Sequence, residues 1–398
     1  GTYGAVRGRR LITASYSIKL LISSSKQNII ELEKEARTCK ECFMREFDYK
    51  KLAEKRWDNE ILLLCSRIHE SKGRQELFVR QKPAQLERLV EISKIQSTEA
   101  SNRIEGIVTT STRIKKLFEE KTAPKNRDEK EILGYRDVLN TIHESHDYID
   151  VSPNHILQLH RDLLKHAGVS YGGSFKNVQN YIKETKPDGT EVIRFMPLAP
   201  YETPEAIGLI CKSYCETLAL EIVDPLILIP TFICDFLCIH PFNDGNGRMS
   251  RLLTLLLLYK SGYEVGKYIS IEKQIEKTKD VYYDVLQEID RGWHEETNDP
   301  TPFIKYMLQM VLACYKEFEE RVGIMDDSGV KSSTYDIVKS YADNKLGKFT
   351  AADVLANCPR VGRTSVFNAL KKLTSEGYVE KHGERQKAFY VKKTTGQW

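Results

Sequence analysis

The sequence predicts a mainly α-helical protein with one β-hairpin and a small α+β module at its C-terminal end. Two apolar runs, at 225–238 and 252–259, have the composition of core helices. A turn signal at 186–189 separates two strand-like segments, which indicates a hairpin. From residue 331 onward the charge balance changes, with 13 Lys and Arg against 6 Asp and Glu. This basic segment is predicted to fold separately from the rest.

We predict three regions in the 398 residues, which are enough for two or three domains. Residues 1–80 are charged and helical in pattern. Residues 81–328 form a core region, in which an amphipathic helix at about 89–106 stops at Gly106, a common C-terminal glycine. Residues 329–398 form the C-terminal module.

The composition is that of a soluble globular protein, with 41% hydrophobic and 29% charged residues. No apolar segment is long enough to cross a bilayer, and the N-terminus lacks the apolar stretch of a secretion signal. Two cysteine pairs, Cys211 with Cys215 and Cys234 with Cys238, are spaced to share one helix face. We interpret them as buried thiols, which favour a cytoplasmic protein without a membrane segment.

The most reactive stretch of the sequence is the polar loop at 240–251, between the two apolar runs. Gly245 and Gly247 allow backbone N–H groups to approach a phosphate at the start of the next helix. Arg248 and Arg251, three residues apart, add two forked cations. These features predict a polyphosphate-binding site.

Three further residues complete the chemistry of this loop. Asp244 is an oxygen ligand suited to Mg²⁺, and Asn246 can add an amide hydrogen bond. His240 is an imidazole at the lip of the loop and a candidate general base for a hydroxyl nucleophile. The predicted reaction is transfer from the phosphate chain of a nucleotide to a hydroxyl. The alternative is a polar turn between two helices with solvated arginines.

The residues from His240 to Arg251 match the HPFxDGNGRxxR signature at every specified position, and the chain therefore resembles the Fic-domain enzymes. The resemblance implies a Fic helical bundle and a protein adenylyltransferase that uses ATP and Mg²⁺. His240 would deprotonate a Ser, Thr or Tyr hydroxyl of a target protein or of the enzyme itself. That hydroxyl would attack the α-phosphate and displace pyrophosphate. Asp244 would hold Mg²⁺, while 245–247, Arg248 and Arg251 would hold the phosphates.

A segment upstream, from Ser101 to Glu105 and Gly106, resembles the (S/T)xxxE(G/N) inhibitory motif of Fic proteins. From the residues alone, Glu105 is a solvated carboxylate in the last turn of a helix. However, a carboxylate there opposes the helix dipole and favours a cationic partner. The resemblance implies that Glu105 pairs with Arg251 and fills the place of the γ-phosphate. We therefore predict a self-inhibited enzyme in which Glu105→Gly speeds AMP transfer.

The predicted hairpin spans about 172–196 and resembles the flap over the active site in this family. Residues 175–182 are strand-like and resemble the flap pattern FRxxQNxI, with Lys176 in place of Arg. The pattern includes Asn180, Tyr181 and Ile182. An extended target segment could add to the edge of this hairpin. The alternative is a hairpin with a structural role alone.

Tyr282 and Tyr283 lie next to each other in a later helical segment. Because two adjacent tyrosines on a helix cannot both face the core, one is predicted to be free to stack on a purine. The resemblance places this pair near the adenine, whereas the residues alone favour core and rim positions. Three upstream histidines do not share a helix face and are interpreted as structural: His155, His160 and His166.

Residues 331–398 have the order helix, short helix, helix and strand pair, which resembles the winged helix-turn-helix fold. The predicted recognition helix carries or follows Arg360, Arg363, Thr364, Ser365, Asn368, Lys371 and Lys372. Such a module binds DNA or serves protein docking or dimerisation, and the sequence leaves these open. A homodimer is compatible with either use.

Two other functions compete with AMP transfer. A hydrolase that removes AMP from modified proteins would use the same pocket, with Glu105 positioning a water. A DNA-binding regulator with a nucleotide-sensing domain would explain the C-terminal module. That second function leaves the intact His240 and Asp244 without a chemical role.

Overall fold

The structure is a computed structural model that describes residues 45–81, 83–119, 122–185, 190–326, 334–345, 347–357, 361–383 and 388–392. Over these residues the fold is mainly α-helical with two short hairpins, which confirms the predicted fold class. Four predictions fall outside the described residues: helix in 1–44, the turn at 186–189, the linker at 329–333 and the position of Arg360 before the recognition helix.

The regular elements are numbered in chain order over the described residues. The α-helices are α1 (Asn59–Gln81), α2 (Pro83–Ile104), α3 (Ser111–Phe118), α4 (Arg127–Ser145), α5 (Pro153–Leu164), α6 (Thr203–Ala219), α7 (Pro225–Ile239), α8 (Asn246–Lys260), α9 (Ile271–Lys277), α10 (Lys279–Asp290), α11 (Thr301–Asp326), α12 (Thr334–Asn344), α13 (Ala351–Asn357) and α14 (Arg363–Ser375). Short 3₁₀ turns lie at Tyr49–Ala53, His146–Tyr148 and Glu264–Lys267. Strand β1 (Ile182–Thr185) pairs antiparallel with β2 (Glu191–Phe195), and β3 (Val379–His382) pairs antiparallel with β4 (Phe389–Lys392).

The described residues form two compact units. The first unit contains 45–57, 98–262 and 275–307. The second contains the described parts of 58–97, 263–274 and 308–398. The predicted boundaries at 80 and 328 stay predictions.

Helices α7 and α8 form the centre of the first unit and pack against each other. Every residue of α7 from Leu226 to Ile239 is buried, as is α8 from Arg248 to Tyr259. A helix that is buried all round lies inside a core, so the two apolar runs hold the loop between them in a fixed place. Within the described ranges, no helix is both long and apolar enough to cross a bilayer.

Helix α4 packs closely against α5 and also contacts α8. The close approach requires Gly134, because a Cβ atom there would lie 1.9 Å from the carbonyl oxygen of Leu163. Helix α5 starts at the predicted cap, where the Ser152 hydroxyl accepts from the His155 N–H. This packing brings polar residues of α4 and α5 to the loop that follows α7.

The first hairpin is shorter than predicted. Its first strand begins at Ile182, whereas the sequence suggested strand from Phe175, and residues 175–181 are irregular. The register shifts between Ile182 and Lys183. The irregular segment directs polar groups of Lys176 and Asn180 to the loop after α7.

The C-terminal elements α12, α13, α14, β3 and β4 follow the predicted order. They enclose a small core that includes Val338, Phe349, Val354, Leu370 and Tyr390. Phe349 and Tyr390 exchange two backbone hydrogen bonds, at 2.9 and 2.7 Å. The chain segment before α13 therefore joins the β3–β4 pair.

The cysteine prediction holds for three of the four residues. Cys211, Cys234 and Cys238 are buried, and burial raises the pKa of Cys211 to about 12. The prediction was wrong for Cys215, which is exposed. Sequence spacing places a residue on a helix face, but the neighbouring elements decide how wide the covered face is.

Candidate active site

His240 ends α7 in a left-handed conformation, with φ 51° and ψ 62°. This conformation is uncommon for a non-glycine residue. The side chain is buried, and its Nδ1–H donates to the carbonyl oxygen of Leu237 at 3.2 Å. Burial, with a smaller contribution from the Lys176 cation, lowers the pKa of His240 to about 3. The ring is therefore neutral at pH 7, with the lone pair on Nε2 ready to accept a proton.

The Asn246 side chain closes the loop. Its Oδ1 accepts from the Phe242 N–H at 2.9 Å, and its Nδ2 donates to the Phe242 carbonyl at 2.7 Å. The sequence prediction had this amide reaching toward a ligand. In the structure both of its polar ends bond within the loop.

Helix α8 begins after Gly245, which has φ 88° and needs to be glycine for that reason. No side chain caps this helix start. The carboxylate of Glu105 lies close to it, since a Cβ atom on Gly247 would be 2.1 Å from Glu105 Oε1. An anion is favoured at the positive end of a helix. The predicted phosphate position thus holds a carboxylate of the same chain.

Arg251 is buried and donates three hydrogen bonds to the end of α2. Its Nε bonds Ser101 Oγ at 2.8 Å, and its Nη2 bonds the Ser101 carbonyl at 3.0 Å. The same Nη2 lies 2.9 Å from Glu105 Oε1. The pairing inferred from the motif resemblance is present in the structure, and Ser101 adds two bonds that the sequence did not suggest.

The end of α2 is held by residues of α10. Lys279 Nζ and Tyr283 Oη donate to the Ile104 carbonyl, at 2.9 and 3.2 Å. Gly106, with φ 75°, lets the chain turn away directly afterwards. These contacts satisfy a carbonyl that the helix itself leaves without a partner.

Tyr282 and Tyr283 are both buried, at 3% and 8% exposure. The premise that two adjacent tyrosines of a helix cannot both face the core was therefore wrong here. Tyr282 lies beside Arg251, while Tyr283 reaches the end of α2. Both can be buried because α10 is covered on two adjoining faces, one of them by the segment that carries Glu105.

The side chain of Arg248 is 1% exposed, and it pairs with a carboxylate other than that of Glu105. Its Nη1 lies 2.9 Å from Oε2 of Glu131, a fully buried carboxylate on α4. Arg127 Nε also bonds Glu131, at 2.6 Å. Sequence reasoning missed both α4 residues, although their i,i+4 spacing was a weak signal. The predicted phosphate ligand Arg248 is partly neutralised, and its Nε has no hydrogen-bond partner among the described residues.

Asp244 is partly exposed and lies near two guanidinium groups. Its carboxylate oxygens are 3.4 Å from Arg127 Nη2 and 3.6 Å from Arg248 Nη2. The described part of the chain contains no group of three or more His, Cys, Asp or Glu residues that could hold a metal. Mg²⁺ commonly takes one or two carboxylates and fills its shell with water and phosphate oxygens. Asp244 fits such an ion as a single protein ligand.

His160, interpreted from the sequence as structural, supports the loop from α5. Its ring stacks on Phe242 with a centroid distance of 3.6 Å. Nε2–H donates to the Asp244 carbonyl at 3.0 Å, and Nδ1 accepts from the Gly173 N–H at 3.1 Å. Burial lowers the pKa of His160 to about 4, so the ring stays neutral. This residue holds the loop that carries Asp244.

The flap residues have different surroundings. Ile182 is buried and begins β1, and Tyr181 is partly buried. Asn180 Nδ2 donates to the carbonyls of His240 and Phe242, at 3.1 and 3.0 Å. Asn180, predicted as a flap or adenine contact, is a support of the loop in this structure.

These residues form a site suited to phosphoryl chemistry. A neutral imidazole with one free nitrogen lies on the loop that leads into an uncapped helix start. Arg251 and a carboxylate-paired Arg248 follow in that helix. Comparison with known proteins agrees with this description: residues 150–258 match the model of the Fic/DOC family, so the chain contains a Fic domain.

Curated relatives carry the name protein adenylyltransferase Fic. The protein from Drosophila melanogaster is 30% identical over 249 residues, which cover 61% of this chain and 43% of that protein. The protein from Culex quinquefasciatus is 29% identical over 234 residues, covering 56% of this chain and 41% of that protein. The chain thus spans less than half the length of these relatives.

Solved structures share the fold at low sequence identity. A Fic family protein from Desulfovibrio desulfuricans G20 has a TM-score of 0.56 and 20% identity, covering 86% of this chain and 99% of that one. A Fic domain containing signaling protein from Bacteroides thetaiotaomicron has a TM-score of 0.52 and 22% identity, covering 65% and 95%. Both support the mainly helical fold.

Proposed function

We propose that this protein transfers AMP from ATP to a Ser, Thr or Tyr hydroxyl of a target protein or of itself. The observation that carries the proposal is the buried, neutral His240, whose Nδ1–H is fixed by Leu237 and whose loop leads into the uncapped start of α8. The names of the curated relatives support the same reaction.

In the proposed reaction, His240 Nε2 accepts the proton of the target hydroxyl. The hydroxyl oxygen then bonds to the α-phosphorus of ATP, and the bond from that phosphorus to the bridging oxygen breaks. Pyrophosphate leaves with the electron pair. A positioned general base of this kind contributes about 10²- to 10⁴-fold in rate.

The remaining residues of the loop hold the phosphates. The N–H groups at the start of α8 and the guanidinium of Arg251 would bind phosphate oxygens, because both favour anions there. Mg²⁺ held through Asp244 would supply charge neutralisation of the phosphate chain. The buried thiols of α6 and α7 support the predicted cytoplasmic location.

We further propose that Glu105 inhibits this reaction. Its carboxylate lies against Gly247 and is paired with Arg251, and these are the groups that a terminal phosphate would need. A carboxylate and a phosphate repel each other and require the same donors. ATP would therefore bind productively only when Glu105 has left the pocket.

The test is incubation with ATP labelled at the α-phosphate and Mg²⁺, comparing the parent protein, His240→Ala and Glu105→Gly. Covalent label on protein should rise in Glu105→Gly and be lost in Glu105→Gly carrying His240→Ala. Absence of label in Glu105→Gly with every target mixture would reject AMP transfer. Loss of label on later incubation of modified protein with the parent would instead favour the hydrolase.

A second proposal concerns α14, which we infer to bind duplex DNA. Its solvent-facing side chains include Arg363, Asn368, Lys371 and Lys372, and the helix contains no carboxylate. Lys372 lies 4.0 Å from Glu376, just beyond the helix end. An exposed basic helix followed by a strand pair supports contact with phosphates in a groove.

Fluorescence anisotropy with a labelled duplex at several salt concentrations tests this inference. Each Lys or Arg removed from α14 should reduce the slope of log K against log salt by about 0.9. The triple variant Arg363→Ala, Lys371→Ala, Lys372→Ala should therefore reduce the slope by about 2.7 in total. No binding by the parent, with protein partners bound instead, would assign the module to docking.

A further inference from the structure

Four successive backbone carbonyls around the general base accept hydrogen bonds from the irregular segment before β1. The donors are the side chain and backbone N–H of Lys176 and the side-chain amide of Asn180. Lys176 donates twice: its Nζ to the Ile239 carbonyl at 2.9 Å and its backbone N–H to the Pro241 carbonyl at 2.8 Å. Asn180 Nδ2 donates to the His240 carbonyl at 3.1 Å and to the Phe242 carbonyl at 3.0 Å. The backbone over 239–242 is thus held at every residue.

The two donors are linked to each other. Lys176 Nζ also donates to Asn180 Oδ1 at 3.0 Å. Lys176 is 3% exposed, and burial lowers its pKa to about 7. The amino group of Lys176 donates to two acceptors and therefore needs two N–H bonds. Both the ammonium and the neutral amine have at least two. The contacts therefore persist in either protonation state.

The held segment contains the strained residue of the site. His240 has φ 51°, and left-handed conformations of non-glycine residues are unfavourable and persist only where the surroundings fix them. Lys176 and Asn180 bind the carbonyl of His240 and the carbonyls of the residues on both sides of it. If these bonds were lost, the backbone could relax and the imidazole would turn with it.

We propose that Lys176 and Asn180 are positioning residues that hold the imidazole of His240 in place for proton transfer. The inference rests on the proposed AMP transfer. Their hydrogen bonds reach the carbonyls of 239–242 and not the start of α8. Loss of the contacts should therefore lower kcat and leave the binding of ATP unchanged.

The experiment uses the full chain with Glu105→Gly, to which Lys176→Met, Lys176→Arg or Asn180→Leu is added. Methionine and leucine keep the approximate shape of the side chains but cannot donate. A misplaced reacting group costs about 10²-fold, so kcat should fall by about that factor in Lys176→Met and Asn180→Leu, with KM for ATP within about twofold. Lys176→Arg should recover most of kcat, because its guanidinium can donate to both acceptors.

Lys50→Met is the matched control. Lys50 is an exposed lysine paired with Glu216 at 2.9 Å, in the same unit. The kcat of Glu105→Gly carrying Lys50→Met should equal that of Glu105→Gly alone. Unchanged kcat in Lys176→Met and Asn180→Leu, or a fall without recovery in Lys176→Arg, would overturn the proposal. If Lys176→Met does not fold, Asn180→Leu and Lys176→Arg still decide it.

A readout without catalysis separates the two proposals. ¹⁵N NMR of histidine-labelled protein should show the Nδ1–H form for His240, and Asn180→Leu should convert it to a mixture of tautomers. An unchanged His240 signal in Asn180→Leu would overturn the positioning role. If Glu105→Gly never transfers AMP, the proposed function fails, and the NMR result still decides the role of the two residues.

Discussion

Replacing Glu105 by alanine should activate AMP transfer by about one to two orders of magnitude, and the size follows from the contact. Glu105 Oε1 makes one hydrogen bond to Arg251 Nη2, at 2.9 Å, and the two side chains are 15% and 3% exposed. A hydrogen bond that involves charged groups contributes about 1.5–3 kcal/mol net. The carboxylate also lies against the start of α8, and the positive end of that helix favours the closed state further.

That free energy sets the population of the open pocket. Because about 1.4 kcal/mol is a factor of ten, the closed state is favoured by roughly 10- to 150-fold, and the apparent affinity for ATP is reduced by the same factor. Glu105→Ala should therefore raise kcat/KM for ATP by about 10- to 100-fold. Glu105→Gln keeps a neutral hydrogen bond and should give an intermediate value.

The assay is the initial rate of label transfer from ATP over a range of ATP concentrations. Glu99→Ala is the matched control, since Glu99 lies on the same helix and pairs with Arg103. Equal rates for Glu105→Ala and Glu99→Ala would refute the reasoning, because the Arg251 contact would then have no inhibitory effect. A rise in kcat with constant KM would also contradict competition with ATP.

Three further outcomes are expected. Gly247→Ala should lower the free energy of unfolding of the parent in urea by about 1–3 kcal/mol, because the new Cβ atom would meet Glu105 Oε1. The loss should be much smaller in the Glu105→Gly background, and equal losses in both backgrounds would contradict the contact. Glu131→Ala should lower the free energy of unfolding by about 3–5 kcal/mol in the same assay, since the buried Arg248 cation is left with only the more distant carboxylate of Asp244. A loss as small as that of an exposed ion pair would show that Glu131 does not neutralise Arg248. Because the pKa of His240 is about 3, kcat/KM for ATP should show no fall attributable to this residue between pH 8 and 6, after allowance for the ionisation of ATP. An acidic limb near the ordinary histidine pKa would indicate a solvated ring.

Part of the fold could be predicted because it depends on local pattern. The apolar runs became α7 and α8, and the C-terminal elements follow the predicted order. The strand predicted from Phe175 was wrong because residues 175–181 satisfy the carbonyls of another segment. Alternating hydrophobicity cannot distinguish a β-ladder partner from a loop partner.

The candidate site also divides into residues that local pattern predicts and residues that it does not. Glycines, the histidine and the acid of 240–251 indicated phosphate chemistry because they are contiguous, so any fold that forms the loop brings them together. The supports of that loop come from α4, α5 and the segment 175–181, and only this last segment lies in a pattern that the sequence analysis recognised. His160 was interpreted only as structural, Glu131 was not singled out, and Lys176 was noted only as a departure from the flap pattern.

The sequence by itself determined the reacting groups, because a loop of twelve residues needs no other part of the chain to define its chemistry. The motif resemblance implied the pair of Glu105 with Arg251, and only the tertiary structure decided the partner of Arg248 and the packing behind both pairs. Glu105 and Arg251 are 146 positions apart, and they meet because α2 ends beside α8. Arg248 is paired with Glu131 because α4 packs against α8. A charged side chain in a core is stable only with a partner, and long-range packing, which local pattern does not encode, selects that partner.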